Sequence, residues 1–120
     1  AAEQGEAQAQ SNLGFMYQNG EGVSRDDGQA VRWWLRAAEL GSVSAQYNLG
    51  VAYHNATGVT EDYVEALKWV VIAITNASEE KKAKYAALRN ALTGEMAPAQ
   101  IEEGRKRARA WWEAFERRKL

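Results

Sequence analysis

Apolar residues are spaced for helices along most of the chain. Ala9, Leu13, Met16 and Tyr17 fall at i, i+4, i+7 and i+8, one stripe on a 3.6-residue period, and Ala45, Leu49, Ala52 and Tyr53 write the same stripe again. These stripes predict helices over about residues 6–19 and 42–55. Each ends where NGEGV or NATGV brings Asn and Gly, residues that tolerate the left-handed backbone at a helix C-terminus. Asp26 and Asp62 follow, where a carboxylate can cap the next helix or favour its positive end. In the helices they open, Ala30, Trp33 and Ala37 sit at i, i+3 and i+7, as do Ala66, Trp69 and Ala73, a small, large, small face.

The two halves of this pattern are one unit written twice. A shift of 36 residues (41 minus 5) brings Gly5 onto Gly41, Ala9 onto Ala45 and Gln10 onto Gln46. It also brings Asn12-Leu13-Gly14 onto Asn48-Leu49-Gly50 and Tyr17 onto Tyr53. The match continues without a gap through Asn19 and Asn55, Gly22 and Gly58, Asp26 and Asp62, and Trp33 and Trp69. Self-similarity at such a period marks a repeat architecture in which stacked helical pairs share a core. Gly14 and Gly50 lie inside helices, where glycine costs about 0.5–1 kcal/mol relative to alanine. The compensation expected is close approach of the second helix of each pair, with Trp33 or Trp69 filling the adjoining space.

These residues carry a resemblance. The first unit satisfies the pattern of the Sel-one-like repeat (SLR), a relative of the tetratricopeptide repeat. It does so at Ala9, Leu13, Gly14, Tyr17, Gly20, Gly22, Val23, Asp26, Ala30, Trp33, Ala37, Ala38 and Gly41. The second departs from it at Ala56, Ile74 and Ala77. The resemblance covers residues 1 to about 76. It implies an all-α fold, a right-handed α/α superhelix used as a scaffold for protein–protein contacts. Ala1-Ala2-Glu3-Gln4-Gly5 parallels Ala37-Ala38-Glu39-Leu40-Gly41, so residues 1–4 are expected to be the tail of a preceding repeat. Repeats over 5–40 and 41–76 and a pair of capping helices over 77–120 complete the single domain expected.

The capping segment reads differently. Ser78 stands as an N-cap before a helix with Tyr85, Leu88 and Leu92 on one side, and Pro98 opens a last helix. There Ile101, Arg105, Ala108, Trp112 and Phe115 form a stripe interrupted by Arg105, and Gly104 has no explanation from spacing.

Composition narrows the function. Fifteen basic and 16 acidic side chains nearly cancel, so bulk charge selects neither nucleic acid nor anionic membrane. The absence of cysteine removes disulfides, thiolate zinc sites and cysteine nucleophiles. His54 is the single histidine, leaving a metal site or catalytic triad without a second member, and it reads as a surface or groove residue. No enzyme, cofactor or small-molecule substrate is therefore expected, and the compartment stays open. Arg105, Lys106, Arg107, Arg109, Arg117, Arg118 and Lys119 with Trp111 and Trp112 offer an alternative nucleic-acid or membrane-surface patch. The interleaved Glu102, Glu103, Glu113 and Glu116 read more simply as a solvated helix face.

A protein or peptide partner is expected on the concave wall lined by the first helix of each pair. Its candidate residues are Ser11, Asn12, Phe15 and Asn19, repeated as Tyr47, Asn48, Val51 and Asn55. Resemblance to tetratricopeptide domains makes Asn12 and Asn48 candidates to hold a peptide backbone or carboxylate. Intra-repeat hydrogen bonding is the alternative role for both.

Overall fold

The computed structural model describes residues 2–118, which form six helices and no strand: α1 (Ala2–Asn19), α2 (Asp27–Glu39), α3 (Val43–Asn55), α4 (Tyr63–Asn76), α5 (Glu79–Glu95) and α6 (Pro98–Arg118). Helices α1 and α2 make one hairpin and α3 and α4 a second. Their turns agree bond by bond. Glu21 N donates to Met16 O and Thr57 N to Ala52 O, both at 3.0 Å, while Asp26 N and Asp62 N donate to Tyr17 O and Tyr53 O at 2.9 and 3.1 Å. The Asp26 and Asp62 carboxylates accept from Gln29 N and Glu65 N at 3.1 Å, capping α2 and α4 as their positions predict. The left-handed residue that ends α1 is Gly20 at φ +69°; its counterpart is Ala56, which takes φ +56° at the steric cost of a Cβ.

Glycine sets the distance between helices, but not with the tryptophan expected. A Cβ at Gly14 would overlap the indole of Trp34, not Trp33, and Trp34 is the buried member of the pair. Trp33 is only partly exposed and lies under the Arg36 guanidinium, 5.0 Å from the ring centroid. In the second hairpin Gly50 approaches Ala66 O and Val70 Cβ, each 3.4 Å from a Cβ built there, and Trp69 is 1% exposed. The α3 stripe of Ala45, Leu49 and Ala52 is buried as expected, whereas on α1 Ala9 is exposed and Leu13 and Met16 are partly exposed. The buried face of α1 is instead Ala7, Ser11 and Gly14.

Helix α4 is the hub, with α3, α5 and α6 all packed on it, while α5 and α6 make little contact with each other. The capping pair therefore straddles α4 rather than forming a third hairpin. Tyr85, Leu92 and Met96 join Ala66, Leu67 and Val70 in one core cluster. The interruption foreseen at Arg105 disappears, because Gly104 takes that place in the inward stripe. A Cβ at Gly104 would sit 2.9 Å from Leu67 Cδ2, so glycine is what lets α6 lie close along α4. Ser78 occupies the cap of α5 without a side-chain hydrogen bond; its carbonyl accepts from Lys81 N and Lys82 N instead. Residues 2–5 continue α1 as regular helix, so the break that ends α2 at Gly41 (φ +102°) is not repeated at Gly5. Ala1 lies outside the described residues.

Candidate functional site

The wall formed by α1 and α3 is an amide strip. Asn12, Asn19 and Asn55 are exposed, and Asn48 and Val51 partly so. Asn12 Oδ1 accepts from Gln8 Nε2 at 3.0 Å, a bond within one helix face that leaves its amide N–H atoms available. Asn48 differs: its Nδ2 is buried and has no hydrogen-bond partner in the protein.

The other candidates also pack against neighbouring helices, Ser11 and Tyr47 on the next unit along and Phe15 within its own hairpin. Ser11 has no exposed surface and cannot touch a partner; its Oγ lies 3.4 Å from Ser44 Oγ, which in turn lies 3.4 Å from Ser42 Oγ, the N-cap of α3. Phe15 is edge-on to Trp34 at 5.6 Å. Tyr47 stacks on Tyr85 of α5 at 4.2 Å with planes 14° apart, and Lys84 stands 5.3 Å from its ring. Each first helix is thus partly covered by the next one along, a burial that the periodicity of one helix does not reveal. Asn12, Asn19 and Asn55 are the exposed members of the set, and Phe15, Tyr47, Asn48 and Val51 keep part of their surface.

One cluster escaped sequence reasoning. His54 ends α3, Tyr63 opens α4 and Glu95 ends α5, and the fold brings all three together. Glu95 accepts from Tyr63 Oη at 3.0 Å and meets His54 Nε2 at 3.4 Å, with the two rings 5.5 Å apart. The bond to Glu95 holds the Tyr63 hydroxyl above its ordinary pKa. Burial does the same at Tyr53 and Tyr85. Three residues on three helices carry no periodic signal in sequence. Among the described residues no group of three or more His, Cys, Asp or Glu side chains is placed to hold a metal ion, and no helix is long and apolar enough to cross a membrane.

On α6 the aromatic half of the alternative patch turns inward. Trp111 packs on Trp69, Trp112 and Phe115 at 4.8–6.0 Å, and its Nε1 donates to Glu39 at 3.1 Å. Arg107 is held by Glu65 and Glu103 at 2.9 and 2.8 Å, and Arg118 donates to Glu39 O at 2.7 Å. Arg105 and Arg109 stay exposed beside a shallow groove of about 450 Å³ floored by Pro98 and Ile101, with Glu102 on its rim.

The family model of the Sel1 repeat matches residues 7–42 and 43–76, the two hairpins just described. The chain belongs to the Sel1 repeat family. Sel1 repeat proteins are generally non-catalytic scaffolds for protein–protein interaction. Two solved structures are similar. One is c5321, a protective antigen present in uropathogenic Escherichia coli strains and displaying an SLR fold. It is 33% identical with a TM-score of 0.83, over 95% of this chain and 24% of that one. The other is a Sel1 repeat protein from Oxalobacter formigenes, 33% identical with a TM-score of 0.65, over 88% of this chain and 44% of that one. The chain thus spans about a quarter of the first and under half of the second. None of the curated proteins compared matches it significantly.

Proposed function

We propose that this Sel1 domain is a non-enzymatic scaffold that binds a protein or peptide segment along the α1–α3 wall, with Asn12 and Asn48 holding its backbone or a carboxylate. The observation that carries the reading is the exposed Asn12 and its partly exposed counterpart Asn48, the same amide one repeat apart. Asn19 and Asn55 extend the strip, and Val51 supplies the apolar contact. Amides suit an extended backbone because each offers both a donor and an acceptor.

The test is affinity capture with the protein as bait, comparing wild type with Asn12→Ala/Asn48→Ala. Bound partner falls about tenfold or more in the double variant, the equivalent of two ordinary hydrogen bonds. Capture equal for both proteins removes the reading. Repeating the capture at high salt separates it from binding by α6, which weakens steeply if phosphates are involved.

A further inference from the structure

Helix α6 lies outside the two matched repeats, and its arginines fall into two groups. Arg107 and Arg118 are engaged by the fold, the first by Glu65 and Glu103 and the second by Glu39 O. Arg105 and Arg109 are not. Both are exposed, and among the described residues neither makes a hydrogen bond or an ion pair. They stand at i and i+4 on one helix face, a spacing at which like charges repel, so the fold itself gains nothing from the pair. Between them and the start of the helix runs the groove floored by Pro98 and Ile101, with Glu102 on its rim. Among the residues that line it, two guanidinium groups face one carboxylate, a balance that a single added carboxylate neutralises. A run of phosphates would meet Glu102. Pro98 and Ile101 present only carbon, which favours an aliphatic side chain beside that carboxylate. The groove has no ring on which a nucleobase can stack, because Trp111 and Trp112 lie further along α6 and pack on Trp69 and Phe115. Ile101 is partly buried against the core and offers no protruding apolar face to a bilayer.

We propose that this groove is a second binding site, separate from the α1–α3 wall, for an acidic segment of a partner protein. One Asp or Glu carboxylate of that segment lies between Arg105 and Arg109, and a neighbouring aliphatic side chain rests on Pro98 and Ile101. Each guanidinium offers a carboxylate parallel N–H donors, so two of them one turn apart grip it from both sides. Glu102 repels a second negative charge placed beside the first, which selects an isolated acid flanked by an aliphatic residue over an acidic run. The site uses no residue of the amide strip, so either can fail without the other.

The test probes an array of short synthetic peptides of randomised sequence with the 120-residue chain and measures the best binders by fluorescence anisotropy. Peptides with one Asp or Glu next to Leu, Ile or Val are expected to be enriched. Arg105→Gln/Arg109→Gln weakens their binding about tenfold or more. Lys106→Gln removes an exposed charge from the same helix but changes binding by less than about twofold, and Glu102→Gln strengthens it by about twofold or more. All four side chains are exposed, so these variants fold as the wild type does. Asn12→Ala/Asn48→Ala leaves the peptides bound, which separates this site from the amide strip. An array with no binders, binders without an acidic residue, or equal binding by the double arginine variant overturns the proposal. So does tighter binding of a short oligothymidylate, or of vesicles of phosphatidylglycerol and phosphatidylcholine in equal parts, if the double arginine variant loses it, since the ligand of the groove is then a phosphate.

Discussion

The two hairpins share their aspartate caps, the hydrogen bonds of their turns and the glycines at 14 and 50, yet they differ in what they bury. Leu49 and Trp69 are sealed, while Leu13 and Trp33 at the same places in the unit reach the surface. The turn glycines differ too: a Cβ at Gly58 would overlap the backbone of Asp27, whereas one at Gly22 would meet only Met16 Cε, at 3.8 Å. The motif specifies each hairpin, and the neighbours decide which side chains contribute to stability. This is the behaviour expected of a solenoid whose stability is a sum of unit and interface terms.

Paired substitutions break that comparison. Trp69→Ala costs about 3–5 kcal/mol, since it empties a buried site between α4, α6 and the first repeat, whereas Trp33→Ala costs under about 1 kcal/mol. Urea denaturation of the two variants side by side measures the difference, and equal losses would mean that the repeats are equivalent. Gly14→Ala comes next, at about 1–3 kcal/mol, because the added methyl must displace the Trp34 ring. Gly50→Ala is neutral to stabilising by up to about 1 kcal/mol, its Cβ meeting ordinary contacts at 3.4 Å while helix propensity improves. Thermal melts of both test this ordering.

Ala56→Gly sharpens the comparison in the other direction. Giving the second turn the glycine that the first has at Gly20 relieves a left-handed alanine and stabilises the protein by about 1 kcal/mol. That is a rise of several degrees in melting temperature for a domain of this size.

The smallest effect lies where α6 meets α4. The hydrogen bond from Arg107 holds the Glu103 carboxyl below its usual range. A depressed folded-state pKa contributes stability that is present above the ordinary carboxylate range and lost as the pH falls through it. Arg107→Leu therefore melts with a slightly flatter dependence on pH across that acidic range than wild type, a difference that melting curves at several pH values resolve.

The architecture was legible because repetition, helical spacing and cap residues agree over more than half the chain. What escaped has physical causes. Adjacent tryptophans at 33 and 34 point about 100° apart on a helix, and which one is covered depends on a neighbour that spacing does not name. Gly104 reads as a defect until Leu67 is found against it. In the candidate site the asparagines were readable as a repeated polar face. The burial of Ser11 and the partial cover of Phe15 and Tyr47 were not readable from one helix at a time, since Ser44, Trp34 and Tyr85 meet them from other helices.

Residue-resolved native-state hydrogen exchange tests most directly whether neighbours, rather than the repeat motif, set local stability. The amides of α4, clasped by α3, α5 and α6, are expected to exchange slowest and only through global unfolding, and those in the first half of α1 fastest among the hairpin helices. Protection in α1 equal to or greater than that in α4 would contradict the account.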